Sequence, residues 1–108
     1  MTNYESLQQL ARMMGQDKIA EALGLSVGNF PETITQDQTQ SLHRLIEHSV
    51  DELSRALLDE AILCDDVIDS DTAVQYVEDR MNFLSDVISD DQNKIIAKKF
   101  KELISGWP

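Results

Sequence analysis

The carboxylates at residues 59–79 are the best candidates in this sequence for a chemical or binding function. Eight of them fall in that stretch, and we take them as candidate partner-binding residues: Asp59, Glu60, Asp65, Asp66, Asp69, Asp71, Glu78 and Asp79. Carboxylates from two facing helices can hold Mg²⁺ for phosphoryl chemistry, so a Mg²⁺-dependent nucleotide hydrolase is one interpretation. The paired ExxE signatures of such enzymes are absent, and residues 65–76 lack the central glycine and final glutamate of an EF-hand loop. The spacing therefore favours an acidic binding face without a metal, a cofactor or catalytic residues.

Net charge indicates the kind of partner that such a face would bind. The chain has 20 acidic and 9 basic residues, which give a formal net charge of -11. Residues 51–91 hold 13 carboxylates against only Arg55 and Arg80, whereas the four lysines of residues 94–101 follow with no acid among them. A field of this sign repels phosphate backbones and membrane surfaces and attracts basic proteins. We therefore expect a basic protein partner, such as a nucleic-acid-binding protein whose phosphate contacts the carboxylates imitate, and neither direct nucleic-acid binding nor membrane association.

The remaining reactive residue types offer little chemistry. Cys64 is the only cysteine, so no internal disulfide can form, and its place at the end of an apolar stripe predicts a buried thiol. His43 and His48 are five residues apart and do not converge on one ion. No apolar run approaches the roughly 18 residues that span a bilayer, and the N-terminus lacks a basic start followed by an apolar stretch. We expect a non-enzymatic protein of the cytoplasm.

Two helices and a loop are predicted for the N-terminal third of the chain. Thr2 can cap a first helix, which apolar residues at helical spacing carry to Gly15. A second helix covers residues 17–23, and Gly24 is placed to end it in a left-handed conformation. Residues 26–40, SVGNFPETITQDQTQ, have no period and contain a proline and a glycine, so we expect a loop with at most one helical turn.

One short segment in this third, residues 15–30 (GQDKIAEALGLSVGNF), has the pattern of two helices joined by a turn. A small Ala20 stands where the helices would touch, and Gly24 stands at the turn. Over residues 16–35 the chain resembles the helix-turn-helix of small bacterial and phage regulators. The resemblance implies a transcriptional regulator that binds DNA as a dimer, with four candidate contact residues: Arg12, Lys18, Ser26 and Asn29.

Two features of the same segment depart from the helix-turn-helix pattern. Pro31 would cut the recognition helix to about one turn, because proline removes a helical hydrogen bond and clashes with the preceding turn. No lysine or arginine lies between Lys18 and Arg44, although a helix that reads a DNA groove needs such residues to hold phosphates. The regulator therefore stays the alternative to an acidic interaction protein.

The rest of the chain predicts longer helices. Apolar residues at a period of 3.6 indicate one helix over residues 37–63, about 40 Å long if unbroken. Ser70 or Asp71 can cap the next helix, whose inward positions continue to Ile88. The last helix is expected to start with a capping box at Ser89 and Gln92, to bury Ile95, Ile96 and Phe100, and to stop at Gly106.

Together these elements predict an all-α fold, a small bundle of four to five helices in a single domain that spans residues 1–108. Residues 1–35 form the helix-turn-helix-like unit, and residues 37–105 form the bundle and dimerisation part. Apolar residues cover much of the circumference of the long central helix, at Leu57, Leu58, Ala61 and Ile62. Such a face is too broad for one small chain to cover, so we expect a homodimer.

Overall fold

Six helices form the part of the chain that the computed structural model describes, residues 3–26, 28 and 30–108. In chain order they are α1 (Asn3–Met14), α2 (Gln16–Leu23), α3 (Gln36–Glu47), α4 (Val50–Asp65), α5 (Ser70–Phe83) and α6 (Asp90–Leu103). The all-α fold class is confirmed. The predicted count of four to five helices is too low, because the segment taken as one long helix contains two. Two predicted residues, the cap Thr2 and the DNA contact Asn29, lie outside the described residues.

Two glycines end the first two helices as predicted. Gly15, between α1 and α2, has a φ of 102°. Gly24 follows α2 in the left-handed conformation with a φ of 70°. Its amide and that of Leu25 donate to the carbonyls of Glu21 and Ala20, at 3.1 and 2.9 Å, which are the paired bonds of a Schellman motif. Side chains other than that of glycine are disfavoured at these φ values, so the local sequence sets both helix ends.

The segment between α2 and α3 contains no helix in its described residues, so the recognition helix of a helix-turn-helix is not formed there. Pro31 lies in this segment and lacks the amide that a helix would use. The segment is instead tied to α1, because the Asn3 amide donates to the Glu32 carbonyl at 2.6 Å and the Ile34 amide donates to Oδ1 of Asn3 at 3.2 Å. Phe30 is buried in the core. The predicted loop is confirmed for its described residues up to Thr35, whereas residues 36–40 belong to α3. The resemblance stops at the first helix and its turn.

The prediction of one unbroken helix over residues 37–63 is wrong, since the chain leaves helical geometry between α3 and α4. His48 ends α3, and Ser49 precedes α4 with a φ of -129° and a ψ of 19°. Asp51 and Glu52 lie in the first turn of α4, where carboxylates are stabilised by the positive end of the helix dipole. Ser49 and Glu52 have the spacing of a capping box, which is a sequence signal for a helix start, although the Ser49 side chain makes no capping hydrogen bond.

Both ends of α5 differ from the prediction. The residue that caps α5 is Asp69 and not Ser70 or Asp71, because its carboxylate accepts a hydrogen bond from the Thr72 amide at 2.8 Å. Ser70 and Asp71 therefore fall inside the first turn. The helix stops well before Ile88, which is nevertheless buried within the turn that follows.

The capping box of α6 is confirmed. The Gln92 amide donates to Oγ of Ser89 at 3.2 Å, and the Ser89 amide donates to Oε1 of Gln92 at 3.4 Å. Nε2 of Gln92 also donates to the His43 carbonyl, which fixes the start of α6 against α3. The expected burial of Ile95 is wrong, because its side chain is 49% exposed whereas the neighbouring Ile96 is fully buried. The register of α6 thus turns Ile96 toward the core and leaves Ile95 outside.

All six helices contribute to one apolar core. Each helix buries at least one large side chain completely, among them Leu7, Ile19, Leu42, Leu57, Val77 and Phe100. α4 and α6 approach closely, and Oγ of Ser54 on α4 donates both to the Val50 carbonyl, at 2.8 Å, and to the Ile96 carbonyl, at 3.5 Å. None of the helices described is long and apolar enough to cross a membrane.

Candidate acidic interaction surface

The end of α4 and the connection to α5 present two large apolar side chains to solvent. Asp66 turns the chain out of α4 in a left-handed conformation with a φ of 51°. Val67 is buried, and its amide donates to the Ala61 carbonyl at 3.1 Å. With Val67 held inside, Ile68 is 77% exposed, and Leu63 on the last turns of α4 is 80% exposed. Large apolar side chains that are exposed together in a short segment are typical of a contact surface.

Six of the eight predicted carboxylates are exposed at the end of α4, in this connection and along α5. With Leu63 and Ile68 they form what we call the acidic surface: Asp59, Asp65, Asp66, Asp71, Glu78 and Asp79. None of the six forms an ion pair with another described residue, although Asp79 accepts a hydrogen bond from Gln75 at 2.9 Å. Asp59 and Leu63 are four residues apart on α4 and so share a helix face. The surface therefore combines uncompensated negative charge with exposed apolar area.

The structure places Glu60 in a different environment, between three helices. Its side chain is only 10% exposed, and Oε1 lies 3.1 Å from Nη2 of Arg12 on α1 and 3.7 Å from Nη2 of Arg80 on α5. Arg80 also donates from Nη1 to Oε1 of Gln9 at 2.9 Å. This group of four side chains, which we call the Glu60 network, joins α1, α4 and α5. The Glu60 carboxylate is thus engaged within the chain and is not available to a partner.

Asp69 also has a structural role, as the residue that caps α5. The backbone amide of Thr72 and then its hydroxyl donate hydrogen bonds that favour the ionised carboxylate, and they hold the pKa of Asp69 below its ordinary value. The remaining predicted carboxylates of the connection, Asp65 and Asp66, have no such bond among the described residues. Of the eight predicted carboxylates, Glu60 thus belongs to the network and Asp69 caps α5, which leaves the six of the acidic surface.

Tyr76 borders the Glu60 network and was not predicted as a site residue. The Arg80 guanidinium lies 5.3 Å from the centre of its ring, within the range of a cation–π interaction. Its hydroxyl is buried without a hydrogen-bond partner among the described residues. Burial raises the pKa of Tyr76, and the nearby Arg80 cation opposes that rise. No spacing in the sequence indicates this position, because its neighbours come from other helices.

A shallow groove of about 300 Å³ runs beside α1 and α4, next to the acidic surface. Met13, Leu63 and Cys64 line it together with Asp59 and with two members of the Glu60 network, Arg12 and Glu60. The predicted burial of the Cys64 thiol is wrong, because Cys64 lies on the exposed side of the last turn of α4. Ala61, three residues earlier, takes the buried position instead.

The candidate DNA contacts are dispersed and partly engaged. Arg12 belongs to the Glu60 network, and Nζ of Lys18 bonds both carboxylate oxygens of Glu52, at 3.0 and 3.1 Å. Ser26 is exposed in the segment that follows α2, where no recognition helix forms. Within the described residues, no group of three or more His, Cys, Asp or Glu side chains is arranged to hold a metal ion.

α6 carries positive charge on its outer side. Lys94, Lys98 and Lys101 recur at intervals of four and three residues, are exposed, and form no ion pair in the described part of the chain. We call these three side chains the lysine face. They line a shallow depression of about 550 Å³ together with Ala97, Glu102 and Ser105. Lys99 is turned away from them, and its Nζ lies 3.6 Å from Oδ1 of Asp51 on α4.

Comparison with known proteins adds no relative from which a function could be transferred. No protein family, no curated protein and no solved structure matches this chain. The chemistry of the acidic surface, the Glu60 network and the lysine face is therefore inferred from the positions and environments of their own residues.

Proposed function

We propose that this chain is a non-enzymatic interaction protein whose acidic surface binds a basic protein. A nucleic-acid-binding protein is the partner class that fits best, since carboxylates on such a surface can occupy the places of phosphates. In that role the chain acts as an inhibitor that competes with nucleic acid for the partner's basic groove.

The observation that carries the proposal is that six carboxylates between residues 59 and 79, the stretch that also holds the exposed Leu63 and Ile68, are exposed and have no ion pair with a cation of the described residues. Carboxylates that stabilise the fold have short contacts within the chain, as Glu60 has with Arg12 and Asp69 has with the Thr72 amide. The six have none to a cation, so their mutual repulsion is relieved by an external positive charge. Exposed apolar side chains among them supply contact area that a purely solubilising surface would not need.

Charge attraction of this kind sets a specific dependence on salt. Complementary surface charges accelerate encounter and select the partner, and they are screened beyond about 8 Å at physiological ionic strength. Binding through the acidic surface is therefore expected to weaken steeply as salt is raised. A partner held mainly by Leu63 and Ile68 would show little salt dependence.

The homodimer belongs to the proposal as well. Two of the four residues behind that expectation, Leu57 and Ala61, are buried within the chain. Leu58 is half-buried and Ile62 is exposed, so little of this face of α4 is left to form the interface between two copies.

The test is capture of partners from a native lysate by the tagged protein, after nuclease treatment, with elution in a salt gradient. One variant removes four charges from the acidic surface, through Asp59→Asn, Asp65→Asn, Asp71→Asn and Glu78→Gln. The matched control removes four exposed charges elsewhere, through Glu5→Gln, Glu21→Gln, Glu32→Gln and Asp37→Asn. Exposed ion pairs contribute about 0.2–1 kcal/mol each, so the first variant is expected to bind the captured partner about tenfold more weakly or worse.

Wild type and control are expected to retain the same basic protein, and the acidic-surface variant is expected to lose it. Equal retention by all three proteins would contradict the proposal. Retention of DNA that nuclease removes, and that Lys18→Glu abolishes, would instead favour the regulator alternative.

A further inference from the structure

The lysine face is unusual in a chain that carries a net charge of -11. Four of the basic residues, Arg12, Lys18, Arg80 and Lys99, are paired with carboxylates of other helices. The other five have no ion pair among the described residues: Arg44 lies on α3 and Arg55 on α4, whereas Lys94, Lys98 and Lys101 share one side of α6. The fold therefore concentrates unpaired positive charge on one side of one helix.

Apolar area accompanies this charge, as it does on the acidic surface. Ile95 is 49% exposed at the edge of the lysine face, next to Lys94 in the sequence and one turn from Lys98, and it lines the adjacent depression together with Lys99. The aliphatic stems of the lysines extend this apolar area, because long charged side chains cover apolar surface while their ammonium groups stay in water. The two surfaces are thus complementary in charge, and each has an exposed apolar component.

We propose that copies of this chain associate with one another through these two surfaces, with the lysine face and Ile95 of one copy seated on the acidic surface of another. The ammonium groups meet the unpaired carboxylates, and Ile95 meets Leu63 and Ile68. The inference uses the acidic surface of the proposed function and adds a regulation to it, since a copy seated there covers the surface until a basic partner displaces it.

A second copy fits the lysine face better than nucleic acid does. A polyanion is repelled at every approach by the excess of carboxylates on the chain, and it offers Ile95 no apolar contact. A second copy has the same net charge, but screening limits its repulsion to short distances, where the opposite charges of the two surfaces lie closest. It also supplies two exposed apolar side chains.

The experiment measures the mass of the purified protein by sedimentation equilibrium, in about 0.1 M and about 1 M NaCl, where the Debye lengths are about 10 and 3 Å. The expected mass exceeds the 12.2 kDa of one chain at low salt and falls toward it at high salt. Lys98→Glu with Lys101→Glu is expected to abolish association at low salt. The matched control is Arg44→Glu with Arg55→Glu, which changes the net charge equally at exposed cations that lie outside the lysine face.

The decisive experiment reverses the charge of one surface in one variant and of the other surface in a second variant. One variant, with Asp59→Lys, Asp65→Lys, Asp71→Lys and Glu78→Lys, has four lysines against two remaining carboxylates on the former acidic surface, so that both of its surfaces are basic. The other variant, with Lys98→Glu and Lys101→Glu, has two acidic surfaces. Each variant alone is expected to be monomeric, and an equimolar mixture is expected to associate. Leu63→Ser with Ile68→Ser is expected to weaken association at low salt.

Three results would overturn the inference: a wild type that is monomeric at low salt, a control variant that dissociates as fully as the lysine variant, or a mixture that stays monomeric. Because only the purified chain is measured, none of these results touches the capture of a basic partner. Conversely, if the purified chain associates but the lysate capture yields no basic partner, the self-contact stands and the proposed function is wrong.

Discussion

Asp59 and Glu60 are neighbours on α4 with the same chemistry, yet the fold uses them in opposite ways. Glu60 faces α1 and α5, is largely buried, and is held by two arginines. Asp59 lies about 100° further round the helix, is exposed, and has no ion pair among the described residues. The position around the helix axis, and not the residue type, decides whether a carboxylate stabilises the fold or is available to another molecule.

α6 shows the same division for cations. Lys99 reaches Asp51 on α4, whereas its neighbour Lys98 belongs to the unpaired lysine face. In both helices, one of two adjacent charges closes a contact between helices and the other remains free. The charged side chains of α4 and α6 thus fall into two groups, those that form ion pairs between helices and those that are exposed without an ion pair among the described residues.

The largest effect on stability is expected from removing the carboxylate at the centre of the Glu60 network. Glu60→Ala leaves Arg80 partly buried without its ionic partner, and removing one member of a buried polar pair costs about 1–3 kcal/mol. We expect the free energy of unfolding to fall by that amount, seen in urea titrations as a lower midpoint with an unchanged slope.

Asp59→Ala is the control for that measurement and is expected to change stability by less than about 0.5 kcal/mol, as exposed substitutions usually do. If the two alanine variants were equally stable, the division of charges drawn here would be wrong for α4.

A smaller effect, confined to acid pH, is expected from Asp69. The pKa of Asp69 is lowered in the folded chain, so its contribution to stability is present above the unfolded pKa and is lost as pH falls through the folded pKa. Asp69→Asn keeps a side-chain oxygen for the cap but removes the titration. We therefore expect the variant to lose less stability than wild type between neutral pH and about pH 3, measured by thermal unfolding at each pH.

Glu78→Gln provides the comparison, because Glu78 is an exposed carboxylate further along α5, away from the first turn, and its side chain makes no cap. It should lose as much stability in acid as wild type does. A parallel acid profile for Asp69→Asn and wild type would count against the capping role.

The features that could be predicted from the sequence are those set by neighbours along the chain. The end of α2 is predicted by Gly24, and the start of α6 is predicted by Ser89 and Gln92, which are three residues apart. Both predictions are confirmed. The break before α4 carried a similar local signal at Ser49, but the apolar period continued across it and concealed the break.

Features that depend on other helices could not be predicted in this way. Glu60 was placed with the exposed carboxylates because its partner Arg12 is 48 residues away in the chain. The exposure of Cys64 and Ile95 depends on how α4 and α6 are rotated against the core, and both residues lie at the margin of an apolar stripe. Composition located the acidic stretch, whereas packing decided which of its carboxylates are free.

The smallest effect is expected at Tyr76, which tests how completely the Glu60 network satisfies its polar neighbours. The Tyr76 hydroxyl is buried without a partner in the described residues, so Tyr76→Phe removes a group that gains nothing from folding. At neutral pH the variant is expected to match wild type or exceed it by less than about 1 kcal/mol in free energy of unfolding. Because burial raises the pKa of Tyr76 above 10.0, wild type loses stability as pH rises from the unfolded pKa through the folded one, and the variant should lose less. A variant that is clearly less stable at neutral pH would mean that the hydroxyl is bonded in solution, and the network around Glu60 would then extend to a fifth side chain.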